Sequence, residues 1–229
     1  MRIGTWNLEG RWDPRHRDLL ERSDCDVWLL TEVREDVALV GYVGHFSAAS
    51  APGRAVRYAA VLTRGAAEPV ANLHGASAAV RVGGVVYCSS VLPWRACGAQ
   101  APWCGANHAE RTAAAVDALM AALPDDPLVW GGDWNHALGG REYAGSAAGR
   151  ARILEAVERR GLWVPTRALP HRMEGLVSID HIALPQGVSA TAHAVSAVVD
   201  GVALSDHDLY LVEGVELELA HRSPAGGGE

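Results

Sequence analysis

Apolar residues in this chain come mostly in short runs separated by polar or glycine-bearing breaks. Ile3-Gly4-Thr5-Trp6, Val27-Trp28-Leu29-Leu30 and Leu128-Val129-Trp130 are runs of strand length, too short for helices and bare of charge, and they predict buried strands. Tyr58 to Thr63, Ala78 to Val82, Ser178 to Leu184 and Asp208 to Val212 read the same way, with a further strand expected over Ala194 to Val199. Gly83-Gly84 sits between Val80-Arg81-Val82 and Val85-Val86-Tyr87, a two-residue hairpin signal whose second arm runs on through Val91 to Trp94.

Helical spacing replaces this pattern in three places. Pro14 to Arg22 carries proline in its first turn behind Asp13 as a candidate N-cap. Ala115, Val116, Leu119, Met120 and Leu123 form an apolar stripe that Pro124 ends, and Ile153, Leu154 and Val157 mark a third helix between Ser146 and Gly161. Residues 34 to 57 predict a short helix and a loop around Pro52-Gly53, and Arg95 to Asn107 a second loop. Many strands with a few amphipathic helices predict an α/β chain of two packed sheets with helices outside. No short repeat or linker interrupts it, so one domain is expected over residues 1–222, with a disordered glycine-rich tail over 223–229.

Composition narrows the picture modestly. At 229 residues, 49% hydrophobic and 21% charged, the chain has material for one large core. A net charge of −7 excludes a protein that coats nucleic acid by wholesale phosphate neutralisation, although a local basic patch or a metal can still draw in a phosphate. All 20 cationic residues are arginine, a bias expected of a GC-rich bacterial genome. No apolar run reaches membrane-spanning length and the amino terminus runs directly into a strand, so no membrane association and a cytoplasmic location are expected. Cys25, Cys88, Cys97 and Cys104 lack paired-ligand spacing; Cys97 and Cys104 share a loop, but reduced structural thiols are the expected state.

The polar residues gather at strand ends. The Val27–Leu30 run leads to Thr31-Glu32, and the first strand runs into Asn7 and Glu9. After Leu128-Val129-Trp130, the pair Gly131-Gly132 lets the backbone turn sharply and delivers Asp133 and Asn135. Two residues apart in an extended segment, these point to one side, an acid that takes a proton beside an amide that donates a hydrogen bond. Ser178-Ile179-Asp180-His181 and Ser205-Asp206-His207 add two further clusters. Any one of the five segments is explained by an ordinary solvated turn. Their coincidence points to one centre.

The blocks Thr5-Trp6-Asn7, Leu30-Thr31-Glu32-Val33, Gly132-Asp133-Trp134-Asn135, Ser178-Ile179-Asp180-His181 and Ser205-Asp206-His207 resemble, in order and spacing, the endonuclease/exonuclease/phosphatase superfamily. The resemblance implies a four-layer sandwich, two mixed β-sheets inside and helices outside, and divalent-metal-dependent phosphoester hydrolysis, most often by a phosphodiesterase or nuclease. It implies Glu32 as a direct ligand of Mg²⁺ or Mn²⁺, Asn7 as a neutral oxygen ligand, Asp206 as a further carboxylate, and Glu9 as a holder of metal-bound water. Oxygen-rich ligation suits those hard ions better than zinc. By the same resemblance Asp133 activates the attacking water, Asn135 orients water or phosphate, and His207, oriented by Asp180, stabilises charge growing on phosphorus.

The chain departs from that pattern at Val91, where many relatives carry a Tyr or His against the scissile phosphate; Trp94, Arg95 and His74 are the candidates to fill the gap. The implied partner is a phosphoester substrate, nucleic acid among the candidates. A phosphorylated metabolite or lipid headgroup is the alternative, favoured by the acidic balance and short loops, and a non-catalytic binding module is a third reading that Val91 supports. His181 and His136 are expected to pack or cap locally, Trp94 and Trp103 to cover the core rather than stack a base, and Arg111 to lie on a solvated helix face or reach the phosphate. Asn107-His108 acquires no role from the sequence.

Overall fold

The computed structural model describes residues 1–217, so the expected tail and the last residues of the expected domain lie outside the described residues. In chain order the first half holds β1 (Ile3–Asn7), α1 (Pro14–Ser23), β2 (Val27–Arg34), β3 (Tyr42–Phe46), β4 (Val56–Arg64), β5 (Glu68–Pro69), β6 (Ser77–Val82) and β7 (Val85–Ser90). The second half holds α2 (His108–Ala122), β8 (Leu128–Asp133), α3 (Ala147–Arg159), β9 (Leu162–Trp163), β10 (Asp180–Pro185), β11 (Thr191–Val195), β12 (Val198–Val199), β13 (Val202–Ala203) and β14 (Leu209–Glu213).

These strands form two six-stranded mixed sheets, ordered β11-β14-β1-β2-β4-β3 and β5-β6-β7-β8-β10-β9, and a small β12-β13 ribbon. The sheets pack face to face through Leu29, Val61, Val80, Val129, Ile182 and Val212, all buried. A second core lies outside the first sheet, where Leu19 and Leu20 of α1 meet Trp6, Trp28 and Leu30. A third lies outside the other sheet, where Val116 and Leu119 of α2 and Ile153 of α3 cover Trp130 and Val86. The result is the expected four-layer α/β sandwich. β1 and β2 bury side chains on both faces, which is why they read as unbroken apolar runs rather than alternating ones.

The helix ends follow their local chemistry. Asp13 accepts from the backbone N–H of Arg15 (2.9 Å) and His16 (3.3 Å), and His16 Nδ1 returns the favour to the Asp13 N–H at 3.2 Å. Ser146 accepts from the Gly149 N–H at 3.1 Å, and Gly161 follows α3 with φ +59°. At Gly83-Gly84 both residues take positive φ, as a tight hairpin of this hand requires.

Three expectations need correcting. Residues 34 to 57 contain no helix: β3 pairs antiparallel with β4 there, and it was hidden because none of its five residues is fully buried and Gly44 and His45 break its apolar run. The 194–199 segment is two short strands, β11 and β12, rather than one. Gly131-Gly132 does not make a turn ahead of Asp133. Both glycines lie inside β8, where a Cβ on Gly132 would stand 2.3 Å from Ser90 O and one on Gly131 2.6 Å from His181 O. Neighbouring backbone is close to both, and Gly132 also takes φ +117°, a conformation that only glycine adopts without strain.

Candidate active site

Two parallel pairs, β1 with β2 and β7 with β8, lie near the middle of the two sheets. The polar residues emerge where those strands end: Asn7 closes β1, Glu32 lies near the end of β2 and Asp133 closes β8. β10 runs antiparallel to β8 and opens beside its end, with Asp180 directly across from Asp133. His207 precedes β14, which runs antiparallel to β1 and therefore starts at the same edge. Alternating strand directions thus gather five distant segments at one rim.

A dense hydrogen-bond web fixes them. Asn7 Nδ2 donates to Glu32 Oε1 (3.1 Å) and Asp133 Oδ2 (3.0 Å), bridging the two sheets, while Asn7 Oδ1 accepts from the Glu9 N–H at 2.8 Å. The other Asp133 oxygen accepts from the Asn135 N–H at 2.9 Å, and Asn135 Nδ2 donates to Leu92 O at 3.0 Å. His207 Nδ1 lies 2.7 Å from Asp180 Oδ2. Ser205 Oγ ties this corner to β1, donating to Asn7 O at 2.6 Å and accepting the His207 N–H at 3.1 Å. Glu9 accepts the Asp206 N–H at 3.2 Å and pairs with Arg11 at 3.0 Å.

Three of these residues hold their places at a conformational cost. Glu9, Glu32 and Asn135 have φ of 53°, 48° and 51°, the left-handed region that side-chain-bearing residues seldom enter. Such strain persists only where the surroundings over-determine it, and it concentrates at working sites. Glu32 does so within β2, between pairs Thr31↔Ala59 and Val33↔Arg57.

Electrostatics separates the acids from the imidazole. Burial, then the nearby charge of Asp180, pushes the Asp133 carboxyl up to about 7 despite opposing help from His207. For His207 burial alone lowers the pKa, but the charge of Asp180 and its hydrogen bond outweigh it and push the imidazole up to about 10. Ligating atoms of Asp133, Asp180 and His207 lie within 4.8 Å of one another.

Glu32, Asp133, Asn135 and His207 line a cavity of about 420 Å³ together with Arg54, Ala51, Pro52, Val56, Tyr58, Val91 and Trp94. Glu32, Asp133, Asn135 and His207 are thus brought to one cavity, and Asn7 and Asp180 stand directly behind it. Asp206 is more peripheral, its carboxylate solvent-exposed and 3.8 Å from His207 Nε2. Of the candidates for the place opposite Val91, Trp94 lines the cavity; Arg95 instead donates to Gly145 O, and His74 lies 3.2 Å from Pro102 O. Arg111 is spent on the backbone carbonyls of Cys97 and Gly105. Asn107 caps α2, and His108 bridges Pro93 O (2.9 Å) and Ser146 Oγ (3.1 Å). Trp103 and the thiols of Cys25, Cys88 and Cys97 are buried, and all four cysteines are free.

Sequence reasoning missed Tyr58 and Arg54 at the cavity. Their one readable signal was the neighbouring Pro52-Gly53 loop, which folds back so that Ala49 N–H reaches Gly75 O at 2.9 Å. It also missed His171, whose ring lies 6.2 Å from that of His207. Tyr210 and Tyr143 pin the segment bearing His171 by donating to Pro170 O (3.1 Å) and Val177 O (3.0 Å).

The chain belongs to the Endonuclease/Exonuclease/phosphatase family, whose model matches residues 4–207. Among solved structures it is similar to a 3′-5′ exonuclease from Neisseria meningitidis, at 17% identity and TM-score 0.65, covering 93% of this chain and 99% of that one. It is also similar to an AP endonuclease from Archaeoglobus fulgidus (14% identity, TM-score 0.67, 93% and 98% covered). The endonuclease domain of TRAS1, a telomere-specific non-LTR retrotransposon, matches at 15% identity and TM-score 0.63 over 95% and 99% of the chains. No curated protein sequence matches the chain significantly. Among the described residues no helix is long and apolar enough to cross a membrane.

Proposed function

We propose that this chain is a divalent-metal-dependent phosphoester hydrolase acting mainly on phosphodiesters, with Mg²⁺ or Mn²⁺ as its cation. The observation that carries the reading is the convergence of Asp133, Asp180 and His207 within 4.8 Å, with Asn7 holding Glu32 against Asp133. The donor set fits such an ion. Glu32, Asp133 and Asp206 offer carboxylate oxygen, Asp180 Oδ1 is buried without a hydrogen-bond partner, and Asp133 is pushed towards its protonated form by burial and then by the negative charge of Asp180. Glu32 would hold the ion, with Asp206 as a further carboxylate. Asn7 turns its Nδ2 towards both carboxylates and so serves as the bridge between them. When bound, the ion supplies Lewis-acid stabilisation of phosphoryl oxygen.

The chain's own groups then divide the work. Ionised Asp133, held by Asn7 and Asn135, accepts a proton from the water that attacks phosphorus, and the bond to the leaving oxygen breaks opposite it. His207 is charged at neutral pH; its Nδ1–H is committed to Asp180, so its Nε2–H is the donor for a phosphoryl oxygen as charge builds there. Asp180 orients that imidazole and keeps it charged. Asn135, on the cavity wall, orients water or phosphate.

The test is hydrolysis of bis(p-nitrophenyl) phosphate and of a single-stranded oligonucleotide by chelator-treated protein, before and after Mg²⁺ or Mn²⁺ is returned. Turnover that returns with metal and is lost in Asp133→Ala supports the reading. Metal-independent turnover, or full activity in that variant, overturns it. A second reading, hydrolysis of a small phosphorylated metabolite, draws on the compact cavity and the net charge of −7. Its mark would be turnover whose KM is insensitive to salt, because polyanion binding releases counterions.

A further inference from the structure

We propose that the apolar wall of the cavity, Pro52, Val56, Tyr58, Val91 and Trp94, is the subsite for one nucleobase of the substrate, stacked on Trp94 beside the reacting phosphate. This rests on the hydrolase reading and names its substrate class: a nucleotide unit taken singly, at a strand end or in a short single strand, and not the interior of a duplex. One continuous cavity of about 420 Å³ is floored by Asp133, Asn135 and His207 and walled by these apolar residues. That size lies in the range of roughly 300–1,000 Å³ usual for sites that enclose small molecules.

With Trp12 and Trp163 half-buried, Trp94 is the one exposed tryptophan of the eight. It is 36% exposed, whereas Trp6, Trp28, Trp103, Trp130 and Trp134 are buried at 2% or less. It is also braced. Its ring stands edge-on to Trp103 at 6.0 Å and 86°, and Trp103 is in turn edge-on to Tyr58 at 5.4 Å and 68°. The adjoining backbone is held by Cys97 N–H to Trp94 O (3.0 Å) and Arg95 N–H to Ala144 O (3.1 Å). A large flat side chain kept partly open, at the mouth of a reactive cavity and on a rigid support, is a preformed stacking platform.

The wall also dictates how a base is read. Pro52, Val56 and Val91 offer no side-chain hydrogen-bonding atoms, so recognition rests mainly on the base's face and discriminates weakly among the four bases, with the Tyr58 hydroxyl and the Trp94 indole N–H as the wall's polar atoms. Besides His207 at its floor, Arg54 is the one cationic residue lining the cavity among the described residues, and it lies 3.5 Å from Glu32, so no row of cations tracks a long phosphate backbone. Affinity for the unit next to the scissile bond must then come from the platform.

The experiment compares kcat/KM, with Mg²⁺ or Mn²⁺ at fixed ionic strength, for a thymidine dinucleotide and the same sugar–phosphate lacking both bases. Longer single-stranded and duplex oligonucleotides serve as further arms. The base-bearing dinucleotide is expected to be preferred by about tenfold to a hundredfold, the worth of one stacked base. Trp94→Leu should collapse that preference and Trp94→Phe restore part of it, with thermal melts verifying the fold of both. Independently of turnover, the Trp94 indole N–H resonance, assigned by its loss in Trp94→Phe, should shift with thymidine monophosphate and stay still with deoxyribose 5-phosphate. Equal or better cleavage of the base-free compound, a preference that survives Trp94→Leu, preferred cleavage within the duplex, or an unmoved indole signal each overturns the inference. Hydrolysis of no probe with either metal would instead defeat the hydrolase reading, and the resonance experiment would still decide the subsite.

Discussion

The imidazole of His207 is clamped by Asp180, Nδ1 to Oδ2 at 2.7 Å, with the carboxylate side chain only 1% exposed and the imidazole 12%. A charged pair this dry is worth most when intact, because removing one partner strands the other. Asp180→Asn should bring the His207 imidazole down from about 10 towards the ordinary histidine range, read directly by NMR titration of the ring. On the proposed mechanism kcat should fall by roughly 10²-fold or more.

The same pair carries a pH signature in stability. The folded imidazole binds its proton more tightly than the unfolded one, so its contribution is complete below about pH 6.5 and is lost as pH rises through about 10. Urea midpoints of the wild type should decline across that window. A similar decline in Asp180→Asn would refute the assignment.

His136 and His181 act in the opposite sense. Burial pushes both imidazoles down to about 4, against hydrogen bonds to Trp134 O and His136 O. The unfolded chain therefore takes up protons first as pH falls from about 6.5 to 4, and stability falls with it, by on the order of 3 kcal/mol for each ring. Asp133, raised to about 7, offsets part of this by binding a proton in the fold from about pH 7 downward. The acid loss should hence be steeper in Asp133→Asn than in the wild type, as chemical denaturation at stepped pH would reveal.

Asp133 should titrate near 7 in chelator-treated protein, followed by carboxyl-carbon NMR. Added Mg²⁺ or Mn²⁺ is expected to move that titration to lower pH, because a nearby cation favours the ionised acid. An Asp133 resonance indifferent to metal would contradict the proposed cation site.

Glu32 tests whether strain is stored for function. With φ of 48°, Glu32→Gly should relieve backbone strain and raise Tm by a few degrees, consistent with about 1 kcal/mol, while abolishing metal-stimulated turnover. A variant that loses both stability and activity would indicate that the carboxylate is structural.

Much of this was legible in the sequence, for identifiable reasons. β1, β2 and β8 are buried on both faces, so continuous apolar runs betrayed them, and Asp13 and Ser146 announced their helices by capping. Asp133, Asp180 and His207 could be listed as candidates because each terminates or precedes such a run. β3 was illegible because it is a largely exposed edge strand with no periodic burial. The roles of Gly131 and Gly132 were hidden because the backbone that crowds them, at Ser90 and His181, is distant in sequence. Arg54 and Tyr58 come beside Glu32 through the pairing of β4 with β2, and Trp94 comes near Asp133 through the segment after β7 that donates Leu92 N–H to Asp133 O, contacts between stretches distant in sequence.

Ser205 holds a further consequence. By fastening Asn7 O to the His207 N–H it joins the first strand to the last, so the two ends of the reaction centre are about 200 residues apart along the chain and touching in space. During synthesis Asn7 of β1 and the acids of β2 and β8 emerge long before the imidazole of His207 does. A growing chain therefore has no complete centre until Ser205 and His207 have left the ribosome, and on the proposed function it stays inert towards the nucleic acid that encodes it until then.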